Sequence, residues 1–149
     1  MNLSGEDVTQ LRTVLKKISF FVDLKMSDLD ALIGTLEKKA FRKGETIIRQ
    51  GDPGDTFYIL ASGTLGVFKQ HTFWKKKVNT MKRQDFFGEI ALLENTPRSA
   101  TVIGEEEGEL YYLSRAAFDK VVARNPHIAE LVKKAAEYRH ARDKVIDAG

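Results

Sequence analysis

The densest run of chemically useful residues lies between Phe86 and Val102 and reads FFGEIALLENTPRSATV. Gly88 permits a close backbone approach or a positive φ, and Glu89–Leu93 can wind one or two helical turns directly after it. A helix start offers unpaired N–H groups and a partial positive charge, which suits a phosphate. Arg98 stands nine residues beyond Glu89, past the turn formers Asn95, Thr96 and Pro97, at a strand start. A loop that closes on itself brings its guanidinium over those N–H groups. The planar fork matches phosphate oxygens, and a carboxylate nearby accepts a hydrogen bond from a hydroxyl. A phosphate–sugar ligand with one free hydroxyl satisfies both groups. The competing reading is an ordinary Glu89–Arg98 surface ion pair, worth about 0–1 kcal/mol. Spacing alone leaves both open.

Little else in the chain has a catalytic pattern. There is no cysteine, which excludes thiol catalysis, disulfides and thiolate metal sites and fits a reducing cytoplasm. The three histidines, His71, His127 and His140, form no HxH or HxxxH pair, so a His-rich metal site is not expected. No GxSxG, GxxxxGK[ST] or GxGxxG string occurs. With 149 residues, 42% hydrophobic and 30% charged, the chain has the profile of one globular domain that needs no staple. Lys plus Arg total 24 against 21 acids; a net charge of +3 is too weak to argue for nucleic acid. Without an apolar run of about 18 residues or a signal-peptide pattern, nothing here is expected to cross or enter a membrane by itself.

The elements that must position the Phe86–Val102 segment fall into three zones. At the start, Leu11, Val14, Leu15 and Ile18 mark one buried helix face. After Phe20 and Phe21, Ser27 is the expected N-cap of a second helix with Leu29, Leu32, Ile33 and Leu36 as its stripe. From about Ala40 to Ser114, glycines separate short runs rich in β-branched and aromatic residues. Thr46–Arg49, Thr56–Ala61, Leu65–Lys69, Lys77–Met81, Ser99–Ile103 and Glu109–Leu113 read as strands, and Gly51-Asp52-Pro53-Gly54-Asp55 as a turn. Strand spacing near ten residues predicts an antiparallel barrel or jelly roll. Ser114 then caps a helix with Phe118, Val121 and Val122 on one face. Asn125-Pro126 ends it and starts another, with Asn125 as cap and Ile128, Leu131, Val132, Ala135 and Ala136 as its stripe, followed by Tyr138, Arg139 and Arg142.

The string FGEIALL followed by PRSATV resembles the phosphate-binding cassette of the cyclic nucleotide-binding domain family. The likeness extends over about Phe20 to Arg142 and includes the GDPGD turn and the Gly63-Thr64-Leu65 strand start. It implies an α+β fold: an eight-stranded antiparallel β-roll, or jelly roll, with an N-terminal helical segment, a short phosphate-binding helix and two C-terminal helices forming a lid. The implied boundaries are 1–37 for the N-terminal helices, 38–114 for the β-roll with its cassette at 86–102, and 115–149 for the hinge and lid. By similarity, Arg98 holds the cyclic phosphate, with amides around Ile90, Ala91 and Ala100. Glu89 accepts from the ribose 2′-OH, and Gly88 lets the backbone pass the sugar. Ser99 lies beside the phosphate near the base edge. Val67, Asn79 and Met81 are the implied wall of the base pocket, their alternation fitting a strand face. Arg139 matches a base-contacting arginine of channel-type members, or is a solvated helix charge.

The resemblance therefore implies a sensor that binds cAMP, or cGMP, without cofactor or chemistry and converts binding into movement of its C-terminal helices. The alternative is an interaction module of the same fold that has lost its ligand. A nucleic-acid partner is not expected, and the output domain or partner protein is left undefined. Three features depart from the family pattern. The usual glycine two residues before the phenylalanine pair is Gln84, so a turn without positive φ is expected there. Residues 69–84 carry six bases and no acid, with Phe73 and Trp74 among them, which reads as a solvated hairpin tip or a place for an anionic partner. The chain also ends after the lid helix, so an output domain is expected to be absent or supplied by another chain.

Overall fold

The structure, a computed structural model, describes residues 3–18 and 21–147, without the side chains of 136 and 138–147. Phe20 and the side chains of Ala136, Tyr138, Arg139 and Arg142 lie outside that description. Helix α1 (Gly5–Lys17) begins with a capping box. Ser4 Oγ accepts from the Asp7 N–H at 3.1 Å, and the Asp7 carboxylate accepts from the Ser4 N–H at 2.9 Å. Leu11, Val14 and Leu15 are buried on one face, and Ile18 is buried beyond the helix end, as their spacing predicts. Helix α2 (Met26–Ile33) starts two residues earlier than expected. Its cap is Lys25, whose N–H donates to the Asp28 carboxylate at 3.2 Å, and Ser27 is already helical. The Asp28 carboxylate, three residues into the turn, takes the amide of the Lys25 cap, and no Ser27 hydroxyl cap forms.

The middle of the chain forms eight strands: β1 (Glu37–Phe41), β2 (Thr46–Ile48), β3 (Pro53–Gly54), β4 (Thr56–Gln70), β5 (Lys75–Met81), β6 (Phe86–Phe87), β7 (Thr96–Pro97) and β8 (Thr101–Ser114). A 3-10 helix (Glu89–Leu92) separates β6 from β7. Six strands make one antiparallel sheet, ordered β1-β8-β4-β5 with β2 on β8 and β6 on β4. Strands β3 and β7 form a separate antiparallel pair. The architecture is an open jelly roll, not a closed barrel. Two expected pairs of strands are single long ones. Thr56–Ala61 and Leu65–Lys69 merge into β4, and Glu109–Leu113 merges with the Thr101–Ile103 part of the expected Ser99–Ile103 strand into β8, Ser99 and Ala100 staying outside it. Register shifts between Leu60 and Leu65 absorb the extra residues without ending the pairing. Strand β1 escapes a reading of hydrophobic alternation because it is a charged sheet edge with Phe41 as its buried residue.

Phe41, Tyr58, Leu60, Leu65, Met81, Val102 and Leu110 are the buried centre of the sheet, ringed by Ile47, Ile48, Val67, Phe87 and Tyr112. The turn before β6 overturns one expectation. Gln84 has φ 76°, so the left-handed conformation is kept and a non-glycine residue bears it. The surrounding hydrogen bonds hold it there: Gln84 N–H to the Leu60 carbonyl at 2.8 Å, Leu60 N–H to the Asp85 carbonyl at 2.8 Å, and Lys82 N–H to the Asp85 carboxylate at 2.8 Å.

Two compact units are distinguishable. One is the strand-rich Leu36–Arg115, and the other combines Leu3–Thr35 with the chain from Ala116 onward. In the helical unit, α3 (Arg115–Arg124) buries Phe118 and Val121, and α4 (Pro126–Asp147) buries Ile128 and Val132. Asn125 serves both helices differently from the expected N-cap. Its side-chain amide donates to the Val121 carbonyl at 3.0 Å and closes α3, while its own carbonyl accepts from the Ile128 N–H at 2.9 Å and opens α4. Pro126 occupies the first turn, where its missing N–H costs nothing. Asp28 of α2 meets His127 of α4 at 2.7 Å. Among the described residues, no helix is long and apolar enough to cross a membrane.

Candidate functional site

Arg98 is built in from its backbone outward. Its N–H donates to the Asp52 carbonyl at 2.8 Å, and its carbonyl accepts from the Gly51 N–H at 2.8 Å. The neighbouring Pro53–Gly54 and Thr96–Pro97 pair as β3 and β7. The turn-forming Gly51–Asp55 segment is therefore a clamp that fixes where Arg98 leaves the chain.

Its side chain then runs between two glycines. A Cβ on Gly54 would come within 2.6 Å of Arg98 Nε, and one on Gly88 within 2.5 Å of Arg98 Nη1 and 2.8 Å of the Thr56 carbonyl. Gly88 also has φ 81°, a conformation that glycine alone adopts readily. Arg98 Nη2 donates to the Thr56 carbonyl at 2.7 Å. Among the described residues the guanidinium forms no ion pair, so the expected alternative of a Glu89–Arg98 surface bridge is not what the fold makes. Burial lowers the Arg98 guanidinium from its usual range, and Tyr58 and Asp55 act in the opposite sense. Burial pushes the Tyr58 phenol up, opposed by Arg98. Arginine keeps its proton in proteins, so the half-buried group is a cation satisfied in part by a neutral carbonyl.

The 3-10 helix carrying Glu89, Ile90 and Ala91 starts directly at Gly88. Ala91 donates its N–H to the Gly88 carbonyl at 3.1 Å, and Leu93 and Glu94 donate to the Ile90 carbonyl. One of the amides implied for phosphate is thus used within the turn. Glu89 is half-buried, Ile90 exposed, Ser99 exposed and Ala100 buried. Further along, Asn95 accepts a hydrogen bond from Arg115, which ties the cassette loop to the junction of β8 and α3.

The three implied wall residues fall on two rungs of one strand pair, separated by the Gly66–Thr80 rung. Val67 pairs with Asn79, and Met81 lies opposite Leu65 on the same two strands. They differ in setting. Met81 is buried in the sheet's core, Val67 packs against it, and Asn79 is exposed with its Oδ1 accepting from the Thr80 N–H at 2.8 Å. The side chain of Arg139 lies outside the described residues. Sequence reasoning missed Gly54, Thr56 and the stacked Tyr58–Phe87 pair, whose ring centroids are 4.9 Å apart. The GDPGD turn was the signal for the first of these; what it lacked was any hint that it pairs with the strand before Arg98.

Comparison with known proteins bears on the family and the fold. The family model for the cyclic nucleotide-binding domain matches residues 38–125. A cAMP-dependent protein kinase regulatory subunit of Mucor circinelloides is 32% identical over 86% of this chain, and one of Eremothecium gossypii is 36% identical over 78%. The matches span 28% and 25% of those relatives' lengths. Among solved structures, the regulatory domain of Toxoplasma gondii PKA with cAMP superposes with a TM-score of 0.73 at 32% identity, covering 80% of this chain and 46% of that one. The catabolite activator protein of Thermus thermophilus gives 0.70 at 26% identity, covering 88% and 62%. The N-terminal domain of a Streptomyces coelicolor transcriptional regulator gives 0.79 at 21% identity, covering 87% and 94%, a likeness of fold. A guanidinium clamped over two glycines beside a 3-10 turn, in a jelly roll matched across more than half its length, places this chain in the cyclic nucleotide-binding domain family.

Proposed function

We propose that this chain binds a 3′,5′-cyclic nucleotide, cAMP in preference to cGMP, as a regulatory domain that leaves the ligand chemically unchanged. The observation that carries this reading is Arg98. A half-buried cation donates to a neutral carbonyl, pairs with no carboxylate among the described residues, and is held by backbone hydrogen bonds on both sides. A monoanionic cyclic phosphate supplies the charge partner that the protein withholds. Glu89, beginning the 3-10 helix, takes the ribose 2′-OH; the amides near Ile90, Ala91 and Ala100 take phosphate oxygens, that of Ala91 giving up its turn bond to the Gly88 carbonyl. Val67, Asn79 and Met81 flank the base, and Ser99 and Arg139 touch its edges. In this reading the domain comprises 1–37, 38–114 and 115–149 as helical start, roll and lid, and it works in the cytoplasm.

Binding shifts the domain toward whichever conformation holds the ligand better. Phosphate capture draws the 3-10 helix toward Arg98. Movement then passes to the C-terminal helices, with Asn125-Pro126 as the hinge. Titration calorimetry with cAMP and cGMP in parallel tests the ligand: cAMP is expected to bind more tightly, and no heat with either overturns the reading. Hydrogen exchange tests the movement, since cAMP should change the protection of α4 amides.

A further inference from the structure

Strands β4 and β5 extend beyond the sheet as a two-stranded ribbon on which residues 69–79 are all exposed. Its end is built, not slack. His71 donates its N–H to the Trp74 carbonyl at 2.7 Å, and the two rings face each other with centroids 4.1 Å apart. That tight closure leaves Phe73 at the apex, 93% exposed, and Trp74 beside it, 54% exposed. At the base, the Gln50 side chain brackets Gln70 through two hydrogen bonds of 2.7 and 3.1 Å.

Charge is layered behind the aromatic apex. Lys75 pairs with Gln70 and Lys76 with Lys69, so two like charges stand directly opposite, an unfavourable placement in an isolated ribbon. Among the described residues, Lys69, Lys75 and Lys76 have no carboxylate partner, whereas Lys77, one residue further in, meets Glu105 at 2.7 Å. Lys75 lies over the Phe68 ring, 4.9 Å from its centroid.

An apolar tip, an indole one step back and a row of cations behind them match the depth profile of an anionic bilayer surface: acyl boundary, interface, phosphate layer. We propose that the 69–76 ribbon docks this domain on membranes containing anionic phospholipid, with Phe73 and Trp74 entering the headgroup boundary and Lys69, Lys75 and Lys76 facing lipid phosphates. A protruding apex favours this over single-stranded nucleic acid, which is bound along grooves lined with stacking faces. The contact reaches only the bilayer surface, so it departs from the sequence expectation that nothing here enters a membrane while needing no spanning helix. It is independent of cyclic nucleotide binding.

The test uses the whole chain, in which Trp74 is the sole tryptophan and so reports from the tip itself. Phosphatidylcholine vesicles containing phosphatidylserine should blue-shift Trp74 emission and co-sediment the protein, with binding that weakens as salt rises. Phosphatidylcholine vesicles should do neither. Phe73→Ser should weaken binding by about ten-fold or more, and Lys75→Glu combined with Lys76→Glu should remove it, each lysine contributing about five-fold. All three substitutions are at exposed positions, and unchanged melting temperatures check the fold. An unshifted Trp74 spectrum with anionic vesicles overturns the proposal. So does equal binding of wild type and Phe73→Ser, or a single-stranded oligonucleotide that shifts Trp74 where vesicles do not.

Discussion

Each atom around Arg98 has an assignable effect. Replacing the guanidinium with an apolar side chain, as in Arg98→Leu, should cost about 2–5 kcal/mol of cAMP binding, because the phosphate loses its charged partner; calorimetry reads this directly. Gly54→Ala should give a similar loss by a different route. A methyl there collides with Arg98 Nε while leaving the charge in place, so the variant should retain the protein's fold and lose affinity. Glu89→Ala should weaken cAMP more than its 2′-deoxy analogue, by about 1.5–3 kcal/mol in the difference. Gln84 offers a gain instead: with φ at 76°, Gln84→Gly should raise stability by about 1 kcal/mol in urea denaturation. Arg98 was legible in the sequence because its chemistry is written in one short segment. Gly54 and Thr56 were not, since they meet it from some 40 residues away and neither type announces a partner. At Gln84 the local strain visible in the sequence is outweighed by three hydrogen bonds around the turn, two between backbone groups and one to the Asp85 carboxylate.

Between elements, the Asp28–His127 contact joins α2 to α4 at 2.7 Å. Burial acts to raise the Asp28 carboxyl, but hydrogen bonds from His127 and the Lys25 N–H, together with their charges, outweigh it and leave the group lowered from 3.8. A lowered folded value means that this contribution is complete above the unfolded value and is lost as pH falls through the lower folded one. In an acid titration the wild-type melting temperature should therefore fall below about pH 4, and Asp28→Asn should flatten that fall. The same carboxylate caps α2, which the sequence reading gave to Ser27. Helix existence was legible from apolar spacing, whereas the start depended on which of two adjacent polar groups could reach an amide. Strand merging had the same cause: register shifts in β4 and β8 look like breaks in the alternation pattern.

On the scale of the molecule, ligand and fold are linked by mass action. At about 100 times its Kd, cAMP should add about 2.7 kcal/mol of stability, which raises the melting temperature by roughly 5–10 °C for a domain of this size. Arg98→Leu should show no such rise. The sheet order was out of reach of the sequence, because β1 and β2 both pair with a strand more than fifty residues later.

The pairing of β3 with β7 separates what holds still from what yields. Both backbone groups of Arg98 are engaged by Gly51 and Asp52, so the arginine behaves as a fixed post anchored beside the β3–β7 pair. On the proposed function, the part expected to give way when an anion arrives is the coil after Gly88. Amide protons at 51 and 98 should then exchange slowly with or without nucleotide, and around Arg98 the slowing caused by nucleotide should centre on the stretch from 89 to 94.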